Sequence, residues 1–404
     1  MSRRRGPLGE LAFFVGTRTV SNTAYRAVYP LLPIFARALG VDLGTMSLAL
    51  AARSASGALG PLIAPFTDRH GRRFGLTLGL ALFAGGALLA FAGLGFWPFA
   101  LALVLMTVGK YVIDPAILAH LSDIVPYERR GRALALTELS WSLAFMVGVP
   151  AAGFLIARFG WRSPFLALSG LGLATLVAVR SVIPGVPRPA MSDGNTATTW
   201  DIGKEPTGHR ASYKAVLRSP AALAGIAVIL AVSISNELVN LVFGVWLESS
   251  FGLKLAALGA TAAVIGVAEF GGEGLVVTTV DRLGKLRALM IGLAGNAVMA
   301  LLLPFAGRSV ATALLGLALF YLTFEYTVVS MLPVMSEILP RARATLLAFY
   351  AASFSIGRAV GSLVSARLYG LGFAAVALAA AALDAVAFIL LLRLRRLTSG
   401  SEPV

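Results

Sequence analysis

Residues 61–80 read PLIAPFTDRHGRRFGLTLGL, a short basic turn between two apolar segments. The rest of the chain follows the same pattern. Of its 404 residues, 58% are hydrophobic and only 13% are charged, whereas an ordinary soluble domain carries about 25% charged residues. Apolar runs near or above the roughly 20 residues that cross a bilayer recur along almost the whole length. The composition therefore predicts a membrane protein whose chain crosses the bilayer many times.

Charge clusters and Gly/Pro turns divide the sequence into twelve predicted helices, the first over residues 11–36. A polar stretch rich in Gly, Pro, Ser and Thr separates six helices from the other six. We therefore expect an all-α polytopic membrane protein with two pseudo-symmetric six-helix bundles, over residues 1–183 and 220–404. The segment between them, 184–219, is predicted to be a cytoplasmic linker that buries no core and serves only as a tether.

The distribution of basic residues predicts the orientation. With the N-terminus in the cytosol, 22 of the 34 Lys and Arg residues lie in cytoplasmic segments and 6 lie on the opposite side, which is a strong positive-inside asymmetry. Both termini are therefore expected in the cytosol, and a bacterial-type plasma (inner) membrane is the expected location. Basic loops beside anionic lipid account for the net charge of +15. Membrane lipid, rather than nucleic acid, is the expected partner.

The sequence gives little sign of other chemistry. The absence of cysteine excludes disulfides and thiolate metal sites. The three histidines, His70, His120 and His209, are far apart without metal-ligand spacing, and no phosphate-binding P-loop is present. We therefore expect no enzymatic activity, no cofactor and no metal. Without an ATP site, any transport by this chain is expected to be driven by an ion gradient.

Two motifs occur twice. DRHGRR at 68–73 has a counterpart in DRLGKLR at 281–287, and SDIVPYERRGRALA at 122–135 has one in SEILPRARATLLA at 336–348. The spacing from Asp68 to Asp123 is 55 residues, and that from Asp281 to Glu337 is 56. The two halves therefore read as copies, an organisation typical of transporters in which one half rocks against the other.

These residues carry a resemblance to the major facilitator superfamily over essentially the whole chain. The loop signature of that family between its second and third helices is Gly-x-Leu-Ala-Asp-Arg-x-Gly-Arg-Lys/Arg. Ala64 replaces the first glycine of that signature. The matching positions are Asp68, Arg69, Gly71, Arg72 and Arg73.

Two other family patterns match less completely. GVPAAG at 148–153 is similar to the Gly-Pro-x-x-Gly-Gly pattern of family antiporters, but Val149 is interposed and Phe154 replaces the last glycine. Proton-coupled exporters of the family tend to carry Arg-x-x-Gln-Gly in the fourth helix, where this chain has Leu105 and Val108.

The resemblance implies alternating-access transport of a small organic solute by a monomer. Helices 1, 4, 7 and 10 would line the central cavity. We expect transport to be coupled to protons and directed outward. Uptake of an organic anion by the bases of helices 1 and 4 is the alternative, and a sensor or scaffold that moves nothing is a third hypothesis.

The repeated loops are the candidate cytoplasmic gate. A carboxylate at Asp68 can accept hydrogen bonds near the positive end of the next helix, and Gly71 permits the tight reversal. These contacts could hold the cytoplasmic side closed in one state, or they could only fix the topology through positive charge. The gate candidates are Asp68, Arg69, Gly71, Arg72, Arg73, Asp123, Asp281, Arg282, Gly284, Lys285 and Glu337.

Charged residues inside the predicted helices mark the candidate cavity, because each charge at bilayer depth requires a partner or a wet cavity. These positions fall in three layers of depth, and each layer mixes acids with bases. The residues predicted to contact the solute or protons are Arg18, Asn22, Arg26, Lys110, Asp114, Glu237, Asn240, Glu269, Glu273, Glu325 and Arg358.

The repeat predicts two cross-cavity pairs. Lys110 lies 13 residues before Asp123, and Glu325 lies 12 before Glu337, so the two charges occupy nearly equivalent positions in helices 4 and 10. Because the resemblance implies that these helices line the cavity, the two charges are expected to face each other. Arg26 and Glu237 are similarly placed in helices 1 and 7. These pairs could contact solute, act as a gate, or only neutralise one another in a static bundle.

The first helix carries a polar stripe, and the eighth carries two acids on one face. Arg18, Asn22 and Arg26 recur at every fourth position. Glu269 and Glu273 could form a like-charge pair that binds a proton, or they could bridge to Arg53 or Arg358.

Overall fold

The described residues of the computed structural model are 7–60, 71–125, 136–182 and 209–399. They form helices joined by short turns, with no strand among them. The first half contains α1 (Pro7–Arg26), α2 (Leu32–Leu39), α3 (Leu43–Ser56), α4 (Arg72–Ala92), α5 (Phe96–Ile124), α6 (Leu136–Phe159) and α7 (Ser163–Val182). The second half contains α8 (His209–Arg218), α9 (Pro220–Phe251), α10 (Leu255–Leu283), α11 (Lys285–Leu302), α12 (Val310–Ile338), α13 (Arg343–Tyr369) and α14 (Phe373–Ser399).

Nine helices of the described chain are long and apolar enough to cross a membrane, namely α4, α5, α6 and α9 to α14. The shorter α7 is also apolar, and α2 with α3 form a pair bent by 112° that could be one broken span. The helix α1 is less apolar than these spans because it carries a row of charged and polar residues. The chain is therefore an all-α polytopic membrane protein, as the hydropathy pattern predicts.

The prediction of one continuous first helix over residues 11–36 is wrong. The helix α1 ends at Arg26, a turn occupies residues 27–31, and α2 begins at Leu32. Pro30 and Pro33 explain the break, since proline lacks the backbone N–H and disfavours a helical residue before it. The break redirects the chain after Arg26, which alters where the following side chains lie.

The expectation that residues 184–219 serve only as a tether is also wrong for their last part. Residues His209–Arg218 form the amphipathic helix α8. Ser212 and Val216 are buried, and the ring of Tyr213 lies 5.7 Å from that of Phe349 on α13. This part of the segment therefore docks on the second half.

The two halves meet along two pairs of helices, α3 with α13 and α6 with α10. A Cβ atom on Gly57, just after α3, would lie 2.5 Å from Ser355 Oγ on α13. On α10, a Cβ at Gly266 would lie 2.9 Å from the Cβ of Phe145 on α6. Small residues let membrane helices approach closely, and here they let the halves approach each other.

We call the end where α4 and α11 begin the linker end, and the end where α2 meets α3 the opposite end. The halves also touch at the opposite end. A Cβ on Gly244 of α9 would lie 2.6 Å from the carbonyl oxygen of Pro30, and Arg37 makes two hydrogen bonds of 2.7 Å to Glu248. The opposite end is therefore closed by packing and by an exposed ion pair.

Within the first half, α4 and α5 pack most closely at Gly79 and Gly109. A Cβ at Gly109 would lie 2.6 Å from the Gly79 carbonyl oxygen and 2.8 Å from the Phe83 nitrogen. Both are backbone atoms, so they cannot move aside without displacing a helix. We expect Gly109→Ala to lower the free energy of unfolding by about 1–3 kcal/mol through overpacking, measured by thermal or denaturant unfolding in detergent.

The matched control is Gly85→Ala on α4, because nothing lies within 4 Å of the added Cβ. This control should keep or slightly raise the stability, since alanine favours a helix more than glycine does. Equal stability of the two alanine variants would contradict the close approach of α4 to α5.

Candidate functional site

An ion pair between the halves lies at the centre of the protein. Arg26, the last residue of α1, donates from Nη2 to Glu269 Oε1 on α10 at 2.6 Å, and both side chains are almost fully buried. Its Nη1 donates to the Trp141 carbonyl oxygen at 3.0 Å. The guanidinium also lies 3.4 Å from the ring centre of Phe145 and 4.3 Å from that of Trp141. This arginine is therefore held by α6 of its own half and by α10 of the other half.

A second contact between the halves surrounds Glu237 of α9, which is completely buried. Tyr29 donates its hydroxyl to this carboxylate, with O–O distances of 3.1 and 3.2 Å. Ser362 of α13 donates at 2.7 Å and Asn240 at 3.3 Å. Tyr321 of α12 in turn donates to Asn240 Oδ1 at 2.7 Å. Tyr29 is the member of this network that comes from the first half.

Two buried arginines lie near this carboxylate, and only one of them contacts it directly. Arg53 of α3 donates to the Tyr29 hydroxyl at 2.7 Å and to the Tyr25 carbonyl oxygen at 2.8 Å. Arg358 of α13 lies 3.9 Å from Glu237 Oε2 and donates weakly to the hydroxyls of Tyr25 and Tyr29. The Nε atoms of both arginines have no hydrogen-bond partner among the described residues. With two guanidinium groups beside one carboxylate, positive charge exceeds negative charge among these residues.

The polar stripe of α1 faces α6. Arg18 donates to Glu138 at 2.8 Å and to Thr137 at 2.9 Å, and Asn22 donates to Ser140 at 3.1 Å. These contacts, with the contact of Arg26 to the Trp141 carbonyl, agree with the predicted spacing of one face. Arg18 also lies 3.3 Å from Asp114 of α5.

Three carboxylates of the second half lie near one another on α10 and α12. Glu269 and Glu273 share a face of α10, and Gly272 between them lets Glu325 of α12 approach, since its Cβ would lie 3.2 Å from that of Glu325. Glu273 accepts a hydrogen bond of 3.1 Å from Ser142 of α6. Glu325 is buried and has no ion pair with another described residue. The one cation paired with any of the three is Arg26, as far as the described chain shows.

The structure does not bring together the predicted cross-cavity pairs. Lys110 binds Asp114, one turn along its own helix, rather than Glu325. Arg26 binds Glu269 rather than Glu237, because the chain turns after Arg26 and it is Tyr29 that reaches Glu237. Neither predicted bridge from Glu269 or Glu273 to Arg53 or Arg358 is present among the described contacts. Equivalent positions in the two halves therefore predicted how deep these side chains lie, but not towards which helix they point.

Sequence reasoning missed several residues of the site. Arg53 falls at the same predicted depth as Arg26 and Arg358, a signal that could have included it. Trp141 and Phe145 contact Arg26, and Phe145 lies in a π-helical segment, Ala144–Gly148, just before Pro150. A π turn accommodates one extra residue, which agrees with the interposed Val149 in the sequence pattern.

The cavity at this centre has room for about one water molecule, with a volume of about 10 Å³. Its wall combines charged, amide and aromatic groups from both halves. The lining residues are Arg26, Tyr29, Trp141, Asn236, Asn240, Glu269, Tyr321, Phe324 and Arg358. The cavity is therefore too small for an organic molecule in this arrangement of the halves.

Only part of the candidate cytoplasmic gate falls within the described residues. Asp68 and Arg69 lie outside the described residues, and so does the side chain of Asp123. Gly71 and Gly284 precede α4 and α11 with φ of 91° and 82°, so the two copies of the motif turn in the same way, with a backbone that suits glycine. Arg72 and Arg73 are the first residues of α4.

In the second copy of the gate motif, Lys285 pairs with Glu337 of α12. Asp281 and Arg282 are exposed in the last turn of α10. No group of three or more His, Asp and Glu side chains in the described ranges could hold a metal ion.

The sequence matches the model of the Major Facilitator Superfamily over residues 16–333. The uncharacterized MFS-type transporter YwfA of Bacillus subtilis (strain 168) is 26% identical over 365 residues, covering 90% of this chain and 86% of YwfA. Multidrug resistance protein 2 of the same strain is 31% identical over 156 residues, 38% of each chain. A solved bacterial homolog of the human lysosomal transporter Spinster, inward-facing and occupied, has a TM-score of 0.76, with 14% identity and 98% of both chains covered. The chain belongs to the Major Facilitator Superfamily.

Proposed function

We propose that this protein is a secondary active transporter that exports a small organic solute in exchange for protons, by alternating access across a bacterial-type plasma membrane. Membership of the Major Facilitator Superfamily supports the assignment as a secondary transporter. The observation that carries the rest is the buried pair of Arg26 and Glu269, which joins the two halves at the closed centre. Both termini and the linker end lie in the cytosol in this proposal, in agreement with the charge asymmetry of the loops.

We call Arg26 and Glu269 the central gate, as distinct from the candidate cytoplasmic gate. The pair can act as a gate because its partners belong to different halves. When the halves part, the arginine and the glutamate separate. An unpaired charge in this buried region costs several kcal/mol of free energy. A solute group or a proton must then take the place of the lost partner. Entry of solute into the central cavity is thereby coupled to opening.

The charges on the second half support proton coupling. Glu269, Glu273 and Glu325 gather on α10 and α12, and the cation that pairs with them, Arg26, belongs to the first half. Separation of the halves leaves three carboxylates near one another, an arrangement that favours proton uptake. Return of Arg26 then favours proton release. Glu325 is the best carrier candidate because it has no ion pair among the described contacts even in the closed arrangement.

Outward direction draws support from the GVPAAG pattern and from similarity to a relative named for multidrug resistance. The alternative is uptake of an organic anion. Arg358 contacts Glu237, and Arg53 is linked to it through the Tyr29 hydroxyl. Two arginines beside one carboxylate favour that alternative, because they leave excess positive charge beside the central cavity. Transport assays with an aromatic cation such as ethidium and an aromatic anion such as benzoate distinguish the two.

The gate proposal predicts strong coupling between its two residues. Arg26→Gln and Glu269→Gln should each lower the free energy of unfolding by about 3–5 kcal/mol, because each leaves an unpaired buried charge. The double variant should be less destabilised than the sum of the two by about 0.5–3 kcal/mol. Thermal and denaturant unfolding in detergent measure the three variants.

The control is the exposed pair of Arg37 and Glu248, which also joins the halves. Its glutamine variants should cost about 0–1 kcal/mol, as exposed ion pairs do. Additive effects at Arg26 and Glu269 would mean that the two residues do not act as a pair.

The coupling proposal predicts a selective defect in Glu325→Gln. This variant should lose accumulation driven by a pH gradient in proteoliposomes yet retain solute counterflow, because exchange requires no net cycle of protonation. Ethidium and benzoate serve as the two probes, with wild type and Glu248→Gln as controls. Accumulation by Glu325→Gln equal to that of wild type would place the carrier elsewhere, and Glu273 is then the next acid to test.

A further inference from the structure

A large cavity lies away from the proposed transport site, at the linker end of the second half. Its volume is about 880 Å³. The last turns of α10, α12 and α14 and the first turns of α11 form its wall. These turns lie where the helices leave the apolar core of the bilayer, because the apolar spans end at or near the same residues. The cavity therefore lies at the level of lipid headgroups.

The charges in this cavity are mostly positive. Four bases and two acids line it. Lys285 pairs with Glu337, which leaves three guanidinium groups and one carboxylate. The three arginines are exposed and have no hydrogen bond or ion pair with a described side chain. They are Arg282, Arg287 and Arg395.

The backbone adds to the positive potential. Gly284 turns the chain with φ of 82° and precedes α11, so the first N–H groups of that helix point away from the helix body. A net excess of two positive charges at this position suits phosphate groups, which arginine binds through two N–H donors at once.

The remaining wall is apolar and adjoins surface that faces lipid. Leu283, Leu286 and Met290 line the cavity on α10 and α11. On the same two helices Val277 is 80% exposed and Ile291 is 56% exposed. An occupant with acyl chains could therefore leave its phosphates among the arginines and extend its chains along this surface.

We propose that this cavity binds an anionic phospholipid whose headgroup carries two phosphate groups, held by Arg282, Arg287 and Arg395. The two phosphates match the two excess charges. The bound lipid ties together the ends of α10, α11, α12 and α14, and it stabilises the second half. This site is separate from the proposed transport site and does not depend on the direction or the coupling of transport.

The test is lipid binding to the purified full chain in a neutral detergent. Diphosphatidylglycerol should raise the midpoint of thermal unfolding in a saturable manner and remain bound in native mass spectra, whereas phosphatidylcholine should do neither. The double variant Arg282→Gln/Arg395→Gln should weaken binding about 25-fold, since each basic residue near a membrane surface contributes about fivefold.

The matched control is Arg308→Gln/Arg393→Gln, which removes two exposed arginines that do not line the cavity. It should bind the lipid as wild type does. Equal loss in both double variants would reduce the effect to general charge attraction and overturn the site. Binding of phosphatidylcholine with the same affinity would overturn it too.

Soluble phosphates distinguish a lipid from another ligand of the same chemistry. Inorganic phosphate and ATP at millimolar concentration should neither raise the midpoint in a saturable manner nor displace the lipid. Saturable stabilisation by either one, lost in the cavity variant, would assign the cavity to a soluble phosphate and overturn the lipid proposal.

Discussion

The rest of the structure depends on one buried ion pair, that of Arg26 on α1 and Glu269 on α10. A charge at this depth requires a partner, and here each partner comes from a different half. The pair fixes the end of α1 against α6, since the same guanidinium binds the Trp141 carbonyl and lies over Phe145. In this closed arrangement the contact between the halves and the mutual neutralisation of these two charges are therefore the same interaction.

The contacts on either side of Arg26 continue the contact that this ion pair makes between the halves. Below Arg26, the stripe of α1 continues to α6 through Asn22 and Arg18. Beyond it, the turn after α1 brings Tyr29 to Glu237 and places Pro30 against Gly244. The second half carries Glu273 and Glu325 near this ion pair, and the first half carries its cation, Arg26. In the proposed transport cycle, separation of the halves would take Arg26 away from Glu269 and so change the electrostatic environment of Glu273 and Glu325.

Hydropathy, loop charge and the repeated motifs were enough to predict the helical membrane fold, because burial in lipid constrains composition strongly. The tight reversal at Gly71 was also predicted, and Gly284 in the second motif copy has a similar positive φ. The pairing of Lys110 with Glu325 was not correct. Spacing gives depth, but rotation about the helix axis depends on packing and on local partners, and Asp114 lies one turn from Lys110. The break at Pro30 and Pro33 likewise redirected Tyr29 in a way that a straight helix did not predict.

Distances between the halves test the central claim most directly. The chain has no cysteine, so spin labels can be placed by Leu94→Cys and Leu371→Cys, two exposed positions at the opposite end of the first and second halves. Double electron–electron resonance should give mainly the closed distance in the otherwise unchanged chain. With Glu269→Gln added, we predict a population at longer distance, because Arg26 no longer has a carboxylate partner in the other half. An unchanged distance distribution in that variant would contradict the claim that this ion pair holds the halves closed.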